Sequence, residues 1–371
     1  EDAFGWDDST IAWLTNWGPV SYVMTGLFYP WLLQVKGLRW ATVSSMFFVA
    51  AGTVFRVFTS DPKTATILIH IGQFLNGVGG PISTGSIPAI SATWFPPHER
   101  VTATALSNSI NNFGAALTFI LGPALVSSPP KNTSASSHVF LLGSLYDEPR
   151  NVFDVDNRTA SRQSKERDEI MRYMYYACGW SVLLFIIMLC YFPSKPKHPP
   201  CVSATVERTQ YWQGLWSLRK KGYFLLITLS YGISTGVMTV WASVININLE
   251  AVSVDEETAG WIGFYSTLAG CVASLLVGRF ADKFVQYMKL FILVMYILAT
   301  VSLILFALML INVIPSSVVG FYVTIIAANA LINAAVPLMY ELACELAFPT
   351  SEAAANGLLT FFNSFWGLIF L

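Results

Sequence analysis

The chain has 371 residues, of which 54% are hydrophobic and 12% charged, and a net charge of −1. Soluble domains carry about a quarter charged residues, so the composition excludes an ordinary water-soluble fold. The net charge by itself says nothing about partners, and no nucleic-acid partner is expected. The charges cluster between apolar runs of roughly 20 residues, the length that crosses a bilayer as a helix. Ten runs are predicted as membrane-spanning helices, at about 11–33, 40–59, 65–92, 101–127, 170–192, 222–249, 258–281, 288–313, 317–345 and 353–371. Period-two alternation is absent, which argues against a transmembrane barrel. Five cysteines lack metal-ligand spacing and read as small buried hydrophobes. The sequence predicts no metal, no cofactor and no enzyme motif: HExxH, a nucleophile elbow and a dinucleotide fingerprint are all missing.

The first run follows the acidic stretch "EDAFGWDDST" and carries Trp17. The loop behind it holds Lys36 and Arg39. The third run contains "IHIGQFLNGVGGP", Ile69–Pro81, which puts His70, Gln73 and Asn76 at a spacing of three beside four glycines. Those glycines predict close approach of neighbouring helices. Asn108, Asn111 and Asn112 fall in the fourth run, Trp241 in the sixth, Tyr265 in the seventh, Asn329 and Asn333 in the ninth, and Asn363 in the last. Polar groups in hydrocarbon are costly unless they face a cavity or bond across helices. Solute contact is therefore expected at Trp17, Gln73, Asn76, Asn111, Asn112, Trp241, Tyr265 and Asn333. Interhelical hydrogen bonds are the competing role for each amide.

Basic residues favour cytoplasmic loops. Of 21 Lys and Arg, 12 lie in the loops after the odd-numbered runs. The loop 127–169 falls on the opposite side and holds two glycosylation sequons, at Asn132 and Asn157. Glu99, Arg100, Arg279 and Asp282 then read as cytoplasmic gate charges. His70 is the one histidine inside a run, and histidine titrates near the pH of acidic compartments. It is the first candidate for proton coupling; Glu341, which shares a helix face with Glu345, is the second. No Lys or Arg lies deep in a run, which disfavours anionic solutes. Neutral amides with aromatic faces suit a neutral or singly cationic, partly aromatic solute.

Two patterns recur about 250 residues apart. "FPPHE" at Phe95–Glu99 matches "FPTSE" at Phe348–Glu352, and "DDSTIAW" ending at Trp13 matches "DEETAGW" ending at Trp261. Each pair is six runs apart, which preserves orientation and predicts parallel repeats. The chain divides into an N-terminal half at 1–192, a Pro- and Lys-rich linker at 193–221 and a C-terminal half at 222–371. Six-helix repeats within ten runs predict an all-α major facilitator fold in which the ten runs are helices 2–11, with helices 1 and 12 outside this sequence.

"IHIGQFLNGVGGP", "TWFPPHERVTATALS", "AGWIGFYS", "GRFADKFVQYMKL" and "NAAVPLMYEL" resemble the solute carrier 49 family of the major facilitator superfamily. The resemblance covers nearly all of residues 11–371. It implies a monomeric secondary transporter for which protons and a small solute are partners. Family substrates include choline-like amines and, by proposal, haem; one branch is linked to lysosomal membranes and proton-driven export of pyridoxine, a form of vitamin B6. A plasma-membrane location and a non-transporting receptor or scaffold are the alternatives. Similar proteins carry an Asp where this chain has Gln34 in "WLLQVKGLR", which removes a charge from the gate of the N-terminal half. Choline-carrying relatives have a Gln at the position of Asn112.

Overall fold

A computed structural model describes residues 4–125, 152–194, 196, 210–250, 252, 254, 256–281, 287–315 and 317–370. The described regular structure is helical. Its α-helices are α1 (Asp8–Thr25), α2 (Phe28–Lys36), α3 (Leu38–Arg56), α4 (Pro62–Gly85), α5 (Ile87–Trp94), α6 (Arg100–Leu125) and α7 (Val152–Tyr191). After them come α8 (Tyr211–Leu218), α9 (Gly222–Glu250), α10 (Glu256–Ala281), α11 (Met288–Leu310), α12 (Val318–Ala347) and α13 (Glu352–Phe370). Seven helical segments among the described residues are long and apolar enough to cross a bilayer, in α3, α7 and α9–α13.

The first and third apolar runs each divide into two helices. Leu27 separates α1 from α2, and Ser86 separates α4 from α5. Pro81 lies inside α4 and Pro88 opens α5, so the prolines of the third run stand at and around the break. Helix starts follow local chemistry. Asp7 accepts from the Thr10 N–H at 3.0 Å and Asp61 from the Thr64 N–H at 3.0 Å. The hydrogen bonds from Thr10 and Thr64 hold both carboxyls below the usual carboxylate range.

Two loop expectations need correction. The segment 127–169 is not all loop: α7 begins at Val152 and runs unbroken to Tyr191. Its 40 residues make a rod about 60 Å long, twice the hydrocarbon thickness, so the charged first half projects beyond the apolar span. Asn157 lies within this helix; Asn132 lies outside the described residues. The linker is also not uniformly irregular, because α8 forms inside it. Tyr211, Gly214 and Leu218 make its buried face.

The glycines of "IHIGQFLNGVGGP" have a direct packing cause. A Cβ on Gly72 would sit 2.4 Å from the Gly52 carbonyl oxygen of α3, and one on Gly77 would sit 1.9 Å from Ser21 Oγ of α1. Helix α4 is thus wedged between α1 and α3 at a separation that only hydrogen side chains allow. Overpacking of this kind costs about 1–3 kcal/mol. Gly72→Val is accordingly expected to lower the thermal unfolding midpoint of the purified protein. Gly179→Ala, whose new methyl would meet nothing within 4 Å, is expected to leave the midpoint unchanged.

Candidate functional site

Helices α6, α9, α10 and α12, with single residues from α4 and α13, enclose a cavity of about 530 Å³ between the two halves. Its lining is set by helical periodicity. Asn329, Asn333, Val336 and Tyr340 lie on one face of α12; Tyr231, Thr235, Met238 and Ala242 lie on one face of α9. Among the described residues, the lining holds no Asp, Glu, Lys, Arg or His.

A ladder of amides crosses the cavity wall. Asn112 Nδ2 donates to Asn333 Oδ1 at 2.9 Å, joining α6 to α12. Asn333 Nδ2 in turn donates to Asn329 Oδ1 at 2.9 Å. On the opposite wall, Asn363 Nδ2 donates to Thr235 Oγ1 at 2.6 Å. The Tyr231 and Tyr340 hydroxyls bond to each other at 2.8 Å on a buried surface of the cavity. Asn108 is only 6% exposed, and its Nδ2 has no protein partner. A buried amide donor left unmatched costs free energy that an acceptor on a solute would recover.

Of the residues expected to contact solute, Asn111, Asn112, Trp241 and Asn333 meet in this cavity, together with Asn108, Asn329 and Asn363, the other amides singled out in the sequence. Trp17, Gln73, Asn76 and Tyr265 are not among its lining residues. Gln73 Oε1 accepts from Arg56 Nη2, so its amide is taken up by a half-buried guanidinium of α3. The Asn76 backbone packs against Gly52 on the same α3 side. Trp17 donates from Nε1 to His70 Nδ1 at 2.9 Å and meets Phe74 edge-on. Tyr265 is 45% exposed and stacks on Trp261 with ring centres 5.6 Å apart. Trp17, Gln73 and Tyr265 each meet a partner inside their own half, which spacing alone does not reveal.

The cavity is closed toward the end of the bundle that carries Lys36, Arg39 and Arg100. There, a Cβ on Gly278 of α10 would sit 2.6 Å from the Ala105 Cβ of α6. Just above, Ser109 Oγ donates to the Cys271 carbonyl at 3.1 Å. Ser351 Oγ donates to Gln34 Oε1 at 2.8 Å, and Tyr211 Oη donates to the Leu27 carbonyl at 2.8 Å. Gln34 therefore makes its contact across the halves without a charge. Arg100, Glu341, Glu345 and Glu352 line a separate pocket of about 370 Å³ at this end. Glu99 is exposed beside His98, 3.8 Å away, and Arg279 is exposed. Asp282 lies outside the described residues. Away from this end, α6 residues Ile110, Asn111, Phe113, Gly114 and Ala115 are freely exposed, so the cavity opens at the opposite end.

A helical bundle with a neutral cavity between two halves, sealed at one end, has the form of an alternating-access transporter. The family model of the Major Facilitator Superfamily matches residues 1–371, and the chain belongs to that superfamily. Within it the chain belongs to solute carrier family 49. It is 34% identical to a solute carrier family 49 member 4 homolog of Xenopus laevis, over 99% of this chain and 77% of that protein. A choline/ethanolamine transporter, flvcr2b, of Danio rerio is 26% identical over 99% of this chain and 70% of that protein. Among solved structures, the outward conformation of the transporter FucP superposes with a TM-score of 0.65 at 15% identity, covering 100% of this chain and 83% of that one. The fold is the transporter fold of the superfamily, and the protein is not an enzyme.

The seal can be tested separately from transport. Gln34→Ala removes one hydrogen bond, worth about 1 kcal/mol, or roughly a fivefold change in a two-state population. Gly278→Leu inserts a wedge at the same interface. Both are expected to widen the distance between spin labels placed across the Arg100 end. Label distances unchanged in both variants would show that these contacts do not hold the seal.

Proposed function

We propose that this chain moves a small neutral or singly cationic, partly aromatic solute, of which pyridoxine is the first candidate, across a lysosomal membrane by alternating access. The observation that carries the reading is the neutral cavity: amides, hydroxyls and the rings of Tyr231, Trp241 and Tyr340 line it, with no fixed charge among the described lining residues. An anionic solute would enter without a counter-charge. A hydroxylated aromatic ring finds acceptors and donors at Asn108, Asn111, Asn112 and Asn333 and apolar faces on the same walls. Its volume of about 530 Å³ lies within the range for small-molecule sites. The basic end is taken as cytoplasmic by the positive-inside rule, which makes the described state open to the lumen or outside.

The second reading is a choline-type amine. It is favoured by the choline/ethanolamine transporters among the relatives and by Trp241, Tyr231 and Tyr340, whose rings could hold a cation.

Proton coupling is assigned to His70, outside the cavity. Neutral His70 accepts from Trp17 at Nδ1. The imidazolium has two donors and no acceptor, so protonation breaks this tie between α1 and α4. Glu341, in the pocket with Arg100 beyond the Tyr340 side of the cavity, is the second proton candidate.

Flux of labelled pyridoxine and of labelled choline into proteoliposomes, with and without a pH gradient, tests the reading. Uptake of pyridoxine stimulated by an acid donor compartment is expected. Asn333→Ala should reduce it about tenfold, an amide left without its partner costing about 1–3 kcal/mol. His70→Ala should flatten the pH profile while leaving a gradient-independent flux. Flux of choline alone selects the second reading, and no flux of either solute favours a scaffold.

A further inference from the structure

A second, separate cavity lies on the outer side of the C-terminal half. Helices α9, α11 and α12 frame a groove of about 650 Å³ with predominantly apolar walls. Leu226, Ile233 and Leu293 line it and are exposed, so it opens toward the surrounding bilayer and not toward the solute cavity. Its one fixed charge among the described lining residues is Lys289, in the first turn of α11 at the basic end. Tyr223 stands at the same level, in the first turn of α9. Deeper in the groove, Tyr296 and Ser234 share a hydrogen bond at 2.7 Å. Seven residues separate Lys289 from Tyr296, about 10 Å along the helix.

This sequence of chemistry along one groove is that of a phospholipid: a cation at headgroup level, a hydroxyl pair below it and apolar walls beyond. Glu345 of α12 lies close enough to feel the Lys289 charge, but it is absent from the groove lining. Lys221, just before α9, is occupied: its Nζ donates to the carbonyls of Leu346, Ala347 and Phe348 at 3.1, 3.0 and 2.6 Å. Lys289 therefore offers a positive charge to a ligand at the level where anionic lipids concentrate in the cytoplasmic leaflet. We propose that the groove between α9, α11 and α12 binds one anionic phospholipid, its phosphate at Lys289 and an acyl chain along Ile233 and Leu293.

The site touches the transport machinery from behind. Met339 forms part of the groove and is the neighbour of Tyr340, while Tyr296 packs on the cluster that contains Tyr231 and Tyr340. A lipid in the groove supports the wall of α9 and α12 that carries the Tyr231–Tyr340 pair.

Native mass spectrometry of the detergent-purified full chain, titrated with palmitoyl-oleoyl phosphatidylglycerol or phosphatidylcholine, tests the proposal. One phosphatidylglycerol is expected to bind at least fivefold more tightly than phosphatidylcholine. Lys289→Gln should abolish that preference and Lys289→Arg restore it, which separates loss of charge from loss of fold. Ile233→Trp, which fills the groove, should weaken both lipids while leaving the thermal midpoint in lipid-free detergent unchanged. Equal binding of the two lipids by the wild type would overturn the proposal, as would an unaltered preference in Lys289→Gln. A retained detergent tail indifferent to headgroup, or a dimer that dissociates on Ile233→Trp, would give the groove to another occupant.

Discussion

A polar side chain in hydrocarbon has to find a partner, face a cavity or carry its desolvation cost. That constraint sorts nearly every polar group of this bundle. Gln73 finds Arg56, Trp17 finds His70, Ser45 finds the Gly79 carbonyl at 2.7 Å, and each pair stays within the N-terminal half. Asn112 finds no partner in its own half and reaches across to Asn333. Asn108 finds none and faces the cavity. A cavity made this way is polar without being charged, and it has amide donors and acceptors on one wall and aromatic rings on others.

The seal combines small residues and single hydrogen bonds with buried apolar clusters. One cluster at the Arg100 end joins Val101 to Ala281, Met288 and Leu338, and another holds Leu33 with Ala353. Gly278 against Ala105 and Gly357 against Pro30 approach too closely to admit a β-carbon without a shift. Ser351 to Gln34 adds direction at a cost of about 1 kcal/mol to break. A charge at position 34 would have made this contact stronger and also more expensive to strip of water. The glutamine keeps the contact and lowers both.

The architecture was legible from the chain because hydrophobic run length and repeat order are encoded locally. Ten runs predicted ten spans, and six-run spacing of "FPPHE" and "FPTSE" predicted parallel halves. The site was legible on three helices, where Asn112, Trp241 and Asn333 mark cavity faces. Extending the Asn333 face by helical steps through Val336 reaches Tyr340, and so would have found the hydrogen-bond partner of Tyr231. The helix-4 residues misled for a physical reason. A spacing of three shows that His70, Gln73 and Asn76 share a face, but only the position of Arg56 on α3 and Trp17 on α1 decides which neighbour that face meets. Ser351 escaped for a similar reason, since its partner Gln34 lies more than 200 residues away in the other half.

The repeated motif also shows how two related halves have diverged. Each copy follows a helix that ends one residue before the phenylalanine, α5 at Trp94 and α12 at Ala347. Helix C-termini carry unpaired carbonyls and a partial negative charge. In the N-terminal copy Arg100, from the same motif, donates to the Ala92 and Phe95 carbonyls at 3.4 Å. In the C-terminal copy the equivalent cation is Lys221, which arrives from the linker and donates to the last carbonyls of α12 and to Phe348. The C-terminal motif is thus fastened by the segment that joins the halves, and α8 within that segment is bonded to the N-terminal half through Tyr211. The described part of the linker thus bonds to both halves, at Leu27 and at the end of α12, the helix that carries Asn333 and Tyr340 into the cavity and Glu341 into the pocket with Arg100.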